Sequence, residues 1–147
     1  MTRKVVDRTN DNIKRRFRVA FDRYLTGKAP SKEVSRLIGC NNLELRHWVM
    51  ERMRAGMNWN NYAELWTVVH LVPAKFFDLE SDDDLKILWN YRNLFPILKE
   101  DIGRKEGDLR LSLTILDNYN DGLNPVTMRL ANILVDEISK MNKYLYE

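Results

Sequence analysis

The segment WTVVHLV at residues 66–72 limits most strongly what this chain can fold into. Its β-branched residues predict a strand, and the proline at position 73 predicts where that strand stops. The segments on either side repeat apolar residues at the 3.6-residue spacing of helices. The sequence therefore predicts an α+β fold that is mainly helical, with a strand set between helices.

The N-terminal helix is predicted together with both of its ends. Its cap is Asn10 or Asp11, and Gly27 is the residue that stops it. One face carries a stripe of apolar residues, namely Ile13, Phe17, Phe21 and Tyr24. The opposite face carries basic residues, namely Lys14, Arg15 and Arg18.

Further helices follow the same signals. Residues 31–39 form a helix capped by Ser31, and residues 42–56 form one capped by Asn42 that buries Leu45, Trp48, Val49 and Met53. A last helix follows Pro125, and its apolar face is formed by Leu130, Ile133, Leu134, Ile138, Met141 and Leu145.

The acidic run SDDD at residues 81–84 allows two interpretations. Three carboxylates could ligate a metal, but the run stands directly before a helical segment. A capping box is preferred, in which Ser81 caps the helix and Asp84 reaches back. The acidic side chains also favour the positive end of the helix dipole.

The segments between these helices are predicted as loops, a turn and another strand. Residues 57–64 form a loop that Trp59 and Tyr62 attach to the body of the protein. Residues 93–96 form a turn before a short helix, and residues 108–117 alternate apolar and polar side chains as a strand does.

Length and composition indicate a single intracellular domain. The chain has 147 residues, of which 44% are hydrophobic, and this is enough to bury a real core. Cys40 is the only cysteine, which excludes an internal disulfide and a cysteine-based zinc cluster. No apolar run approaches the roughly 18–20 residues that span a bilayer, and the first residues lack the apolar core of a secretion signal.

Charge is distributed unevenly along the chain. Residues 1–32 contain ten Lys or Arg and three Asp, whereas the remaining residues contain fourteen Lys or Arg and eighteen Asp or Glu. A basic arm on a mildly acidic body suggests an anionic partner, either nucleic acid or an acidic protein surface. A solvated helix face is the alternative interpretation, at about even odds.

Three blocks in the middle of the chain resemble a known family. They are LIGCNNLELRHWVMERMRAGMNWNNYAELW (37–66), VHLVPAKFFDL (69–79) and NYRNLFPILKEDIGRKEG (90–107). Together with the basic first helix they resemble the phage-type HNH (His-Asn-His) endonucleases. The resemblance implies a ββα core in residues 31–107, preceded by a basic helical arm (1–30) and followed by a C-terminal strand and helix extension (108–147).

The resemblance also implies roles for individual residues. His70 matches the family's general base and Asn93 the asparagine that orients it, while Thr67 stands where the family has its first histidine. The framework matches at Trp66, Pro73, Phe77, Asp78, Leu79, Leu94 and Pro96. The two metal-ligand positions are occupied by Val69 and Ile102, which offer no lone pair.

The loss of both ligands predicts that the site is vestigial. Metal-dependent hydrolysis without its metal loses several kcal/mol of transition-state stabilisation, and each 1.36 kcal/mol is tenfold in rate. We therefore expect no catalytic residue, with His70 and Asn93 as remnants, and no metal or cofactor. His70 is expected to be a buried, hydrogen-bonded structural residue.

The expected function is a non-catalytic structural or binding component of a phage-like assembly that could contact packaged DNA. Other assembly proteins are the expected partners, in a multi-subunit complex away from membranes, in the virion or the host cytoplasm. The alternatives are a free nucleic-acid-binding regulator and a residual metal-dependent nuclease. The expected contacts to nucleic acid or a partner are Lys14, Arg15, Arg16, Arg18, Arg104 and Lys105.

Overall fold

The computed structural model describes residues 2–102 and 125–145, with side chains from 12 to 102 and from 125 to 140. These residues form an α+β fold that is mainly helical, as predicted. The five described helices are α1 (Thr2–Leu25), α2 (Lys32–Ile38), α3 (Asn42–Glu51), α4 (Asp82–Leu88) and α5 (Pro125–Leu145). Two antiparallel strands, β1 (Trp66–His70) and β2 (Leu94–Leu98), form the sheet. The strand predicted at residues 108–117 lies outside the described residues.

No helix in the described ranges is both long enough and apolar enough to cross a bilayer.

Helix α1 is longer than the sequence predicts. It begins at Thr2 instead of being capped at Asn10 or Asp11, because no glycine or proline interrupts residues 2–25. The predicted end is confirmed, since Gly27 adopts a left-handed φ of +76° just after the last turn. In the predicted apolar stripe, Phe21 is buried whereas Ile13 is 59% exposed, so α1 packs through its C-terminal half.

Helices α2 and α3 are separated by three residues. The Ser31 hydroxyl accepts a hydrogen bond from the Val34 N–H at 3.2 Å, which confirms it as the cap of α2. The cap of α3 is Asn41, whose side-chain oxygen accepts from the Glu44 N–H at 2.8 Å, so the prediction of Asn42 is wrong by one residue. Helix α3 ends at Glu51 rather than at Gly56.

The loop before β1 is fixed by aromatic packing, as predicted. The rings of Trp59 and Tyr62 lie 5.5 and 4.9 Å, centroid to centroid, from the buried ring of Trp66. The Trp66 indole N–H donates to the Asn58 carbonyl at 2.8 Å. These contacts hold the start of β1 against the loop.

Strand β2 occupies residues for which the sequence predicted a turn. In the sheet, Val68 lies opposite Pro96. The Leu71 N–H donates to the Asn93 carbonyl, and from this pair onwards hydrogen-bonded and non-hydrogen-bonded pairs alternate along the two strands. Pro96 therefore falls at a pair that exchanges no ladder hydrogen bonds, so its missing N–H costs nothing there. The turn predicted at residues 93–96 is wrong for this reason.

The cap of α4 is confirmed only in part. The Ser81 hydroxyl accepts from the Asp84 N–H at 3.3 Å, as predicted. The Asp84 carboxylate, however, accepts from the Asp78 N–H at 2.7 Å and so closes the preceding turn. The Arg36 guanidinium pairs with Asp82 at 2.9 Å and ties α2 to α4.

One core cluster joins the predicted arm, the middle of the chain and the last helix. Phe21 of α1 and Leu45 of α3 are fully buried in it with Trp66 of β1. From α5 it takes Leu130 and Leu134, two members of the predicted apolar face. The side chains of Met141 and Leu145 lie outside the described residues.

Candidate functional site

His70 lies at the end of β1, and its ring is held from two sides. Its Nδ1 atom lies 2.9 Å from the carbonyl oxygen of Leu88. Since a carbonyl only accepts, Nδ1 donates this bond and carries the proton of the neutral ring. The ring packs edge-on against Trp89, with centroids 4.6 Å apart. His70 keeps some solvent exposure, so the predicted burial is incomplete.

The surroundings of His70 keep the imidazole neutral. Burial lowers the pKa of His70 to about 4, and the positive charge of Arg18 lowers it further, against the opposing effect of the bond to Leu88. A general base works best when its pKa lies near the operating pH. The imidazole is therefore a weak base at neutral pH.

Asn93 is fully buried between the end of β1 and the start of β2. Its side-chain oxygen accepts from the Val72 N–H at 2.8 Å, and its amide donates to the carbonyls of Val72 at 3.2 Å and Leu88 at 2.8 Å. Asn93 and His70 therefore meet at the same carbonyl, that of Leu88. The asparagine holds this carbonyl in place and so helps to orient the imidazole through the backbone.

Arg18 does not lie on the outward face of α1 where the sequence places it. Its guanidinium donates to the Thr67 hydroxyl at 2.9 Å and to the Val68 carbonyl at 3.2 Å. The carbonyl and N–H of Val68 point away from β2, so the guanidinium covers the outer edge of β1. Arg18 also pairs with Asp22 at 3.3 Å, and the same carboxylate accepts from the Tyr62 hydroxyl at 2.6 Å.

The two positions that match metal ligands carry hydrocarbon side chains in this arrangement. Val69 is part-buried in β1, and Ile102 follows the short turn after β2 and is 39% exposed. Within residues 2–102 and 125–145, no group of three or more His, Cys, Asp or Glu side chains is placed to hold a metal ion. The charged group that acts on His70 is the guanidinium of Arg18, which repels cations.

The outward face of α1 carries the remaining predicted contacts. Lys14, Arg15 and Arg16 are exposed. The side chains of Arg15, Arg16 and Arg23 line a shallow groove of about 320 Å³ together with Val19 and Ala20. Arg23 was missed by the sequence analysis, although its spacing of seven and eight residues from the other two arginines predicts a shared face. The predicted contacts Arg104 and Lys105 lie outside the described residues.

Comparison with known proteins finds viral relatives of unassigned function. No protein-family model and no solved structure matches the chain. The uncharacterized protein L426 of Acanthamoeba polyphaga mimivirus is 27% identical over 67 residues, which are 46% of this chain and 30% of that protein. The uncharacterized protein L246 of the same virus is 27% identical over 77 residues, 52% of this chain and 34% of that protein. The chain thus spans about a third of the length of the curated relatives it matches.

Proposed function

We propose that this protein is a non-catalytic binding component of a virus-like assembly, built on a degenerate HNH-like core, and that it contacts nucleic acid. The surroundings of His70 carry the proposal. The resemblance places metal ligands at Val69 and Ile102, and neither side chain has a donor atom. The guanidinium of Arg18 binds the outer edge of β1 at Thr67 and Val68.

A binding role fits this chemistry better than hydrolysis does. Phosphodiester cleavage of the HNH kind uses a divalent metal to neutralise the scissile phosphate and a histidine to activate water. Here the base is a neutral imidazole with a pKa of about 4, and the nearby charge of Arg18 disfavours a divalent cation. Residues that match the family's framework are thus present, whereas the groups that would cut a substrate are not.

The arginines of α1 supply a surface for phosphates. Arg15, Arg16 and Arg23 share one exposed face, and eight residues of helix separate the first from the last by about 12 Å. A guanidinium binds a phosphate through two parallel hydrogen bonds. This face can therefore engage more than one phosphate of a nucleic-acid backbone at once.

Membership in an assembly is supported by three features of different kinds. Residues 33–147 contain slightly more acidic than basic residues, so the attraction for polyanions is limited to the basic part of the surface. Met128 and Val135 expose apolar side chains on one face of α5, where another protein chain could pack. The matched relatives are proteins of a large virus.

The nucleic-acid contact is tested by band shift over a range of salt concentrations. The unmodified protein should bind duplex DNA at about 50 mM salt and lose affinity steeply as salt rises, because bound phosphates release counterions. Replacing Arg15, Arg16 and Arg23 by glutamine should reduce the slope of log K against log salt by about 2–3. The control replaces the exposed Lys99, which follows β2, by glutamine and should reduce the slope by about 1 or less.

The same incubations with Mg²⁺ or Mn²⁺ test the absence of catalysis. Plasmid DNA should remain intact over hours. Cleavage that requires the metal and disappears in His70→Ala would contradict the proposal, as would a protein that gives no shift at low salt.

The assembly role is tested by the protein composition of purified particles. We expect the protein in particles of its source virus at a fixed copy number. A free nucleic-acid-binding regulator is the second candidate, favoured by the exposed arginine face of α1. Its signature would be DNA binding in the infected cell combined with absence from purified particles, and that result would overturn the assembly role.

A further inference from the structure

Helices α2 and α3 form a compact two-helix unit whose turn is fixed on several sides. The turn consists of Gly39, Cys40 and Asn41. Gly39 has a φ of +80°, a conformation that favours glycine, and its N–H donates to the Ser35 carbonyl at 3.0 Å. The Tyr24 hydroxyl of α1 donates to the Cys40 carbonyl at 2.9 Å. A three-residue turn with glycine between two helices is the connection that a helix-turn-helix uses.

The inner face of this unit is packed into the core. Val34 and Ile38 of α2 are fully buried, as are Leu45 and Val49 of α3. The Trp48 indole N–H donates to the Leu94 carbonyl at 2.8 Å and anchors α3 to β2. The position of α3 is therefore set by the core, and its other face is left to the solvent.

The outer face of α3 is unlike an ordinary solvated face. Leu43 is 72% exposed and Met50 is 52% exposed, and both lie on one stripe with the exposed His47. A solvated helix face is normally charged or polar. Here two apolar side chains flank an imidazole whose Nε2 atom lies 2.7 Å from the Glu51 carboxylate, so Nδ1 is the ring atom that can bind a further group.

Basic residues lie beyond both ends of this face, whereas α3 itself exposes Glu44 and Glu51. Residues 26–56 contain six Lys or Arg against three Glu, although the chain beyond residue 32 is mildly acidic overall. Lys28 and Lys32 are exposed at the α2 end, and Arg54 is exposed beyond the end of α3. A groove of about 740 Å³ lies at the junction of α1, α2 and α3, lined by Ser31, Lys32, Ser35, Asn41 and Asn42 among others. These basic side chains favour an anionic partner over a basic one.

We propose that the α2–turn–α3 unit reads the sequence of duplex DNA, with α3 in the major groove. The major groove of duplex DNA is about 12 Å wide and admits one helix with its side chains. Leu43 and Met50 would contact thymine methyl groups, and His47 would hydrogen-bond to base edges. Helix α2 would cross the backbone, where Lys32 and the junction groove meet a phosphate. The inference rests on the proposed contact with nucleic acid but uses a surface separate from the arginines of α1.

The test is selection of duplexes by the full-length protein from a random-sequence library, followed by competition. We expect a consensus to emerge, and the selected duplex to be bound about 100-fold or more tighter than a scrambled duplex of equal length. Leu43→Ala combined with His47→Ala should reduce this preference about tenfold or more, while binding to the scrambled duplex stays within about twofold. Both positions are exposed, and alanine is favourable in a helix, so the variant should fold.

Two further variants separate this inference from the role of α1. Leu65→Ala removes an exposed apolar side chain just before β1 and should leave the preference unchanged. The glutamine variant of Arg15, Arg16 and Arg23 should weaken binding to both duplexes by the same factor, because phosphate contacts carry no sequence information. Failure of that variant to weaken binding would count against the α1 proposal alone.

Three results would overturn the reading of DNA by α3. They are the absence of a consensus, equal binding of single-stranded and duplex nucleic acid, and an unchanged preference in the Leu43 and His47 double variant.

Discussion

Replacing Asn93 by alanine is expected to lower the free energy of unfolding by about 3–5 kcal/mol. The side chain is fully buried and makes three hydrogen bonds, two to the backbone of Val72 and one to the Leu88 carbonyl. Alanine would leave the Val72 N–H and carbonyl without this partner in a site that water does not reach. An unpaired buried polar group costs about 1–3 kcal/mol. Urea denaturation of the two proteins measures the difference.

The matched control is Asn60→Ala, which changes the same residue type at an exposed position. It should stay within about 0.5 kcal/mol of the unmodified protein. A loss below about 1 kcal/mol for Asn93→Ala would show that this side chain is not the brace between β1 and β2 that its contacts indicate.

The second large effect is a loss of stability in mild acid that depends on His70. Burial holds the pKa of His70 in the folded state at about 4, whereas the pKa of an unperturbed histidine is 6.5. Between these values the unfolded chain binds more protons than the folded chain, so stability falls as the pH falls. Above pH 6.5 the imidazole is neutral in both states and contributes no pH dependence. The loss between pH 6.5 and 4 should reach about 2–3 kcal/mol.

His70→Phe isolates this contribution. Phenylalanine does not titrate and can pack on Trp89, and the Leu88 carbonyl keeps its bond from Asn93. Denaturation curves at a series of pH values should be flatter for His70→Phe than for the unmodified protein between pH 4 and 6.5. Asn60→Ala, at an exposed residue that does not titrate, should retain the original dependence. Parallel curves for His70→Phe and the unmodified protein would contradict the lowered pKa.

The contacts around His70 disfavour the metal chemistry that the resemblance to HNH endonucleases implies. Asn93 and His70 converge on the Leu88 carbonyl, which keeps the end of β1 ordered. Arg18 covers the outer edge of β1 with a positive charge. A cation would have to overcome both that charge and the lack of donor atoms at Val69 and Ile102.

Much of the helical layout could be predicted from local sequence. Ser31 and Ser81 cap helices because a hydroxyl beside the first turn satisfies an otherwise unpaired N–H, and this depends on a few neighbouring residues. The end of α1 is equally local, because it depends on the left-handed conformation of Gly27. The strand at residues 66–70 followed from β-branched residues that fit a pleated, half-buried surface.

The errors arose where a distant partner decides the outcome. Residues 94–98 form a strand because β1 pairs with them and places Pro96 at a pair without ladder hydrogen bonds. Arg18 has the sequence environment of a solvated arginine, yet it donates to a hydroxyl and a carbonyl about fifty residues away in the chain. Neither contact leaves a signal in the neighbouring residues.

By itself, the sequence determined most of the helices, the Ser31 and Ser81 caps, the basic character of α1 and the hydrocarbon side chains at the positions that the resemblance matches to metal ligands. Only the tertiary structure decided that Arg18 turns inward and that the stripe of Leu43, His47 and Met50 on α3 stays exposed. The physical reason is the range of the interactions. Capping and periodicity act within a few residues, whereas side-chain exposure, pKa and surface composition depend on groups that folding brings together from distant parts of the chain.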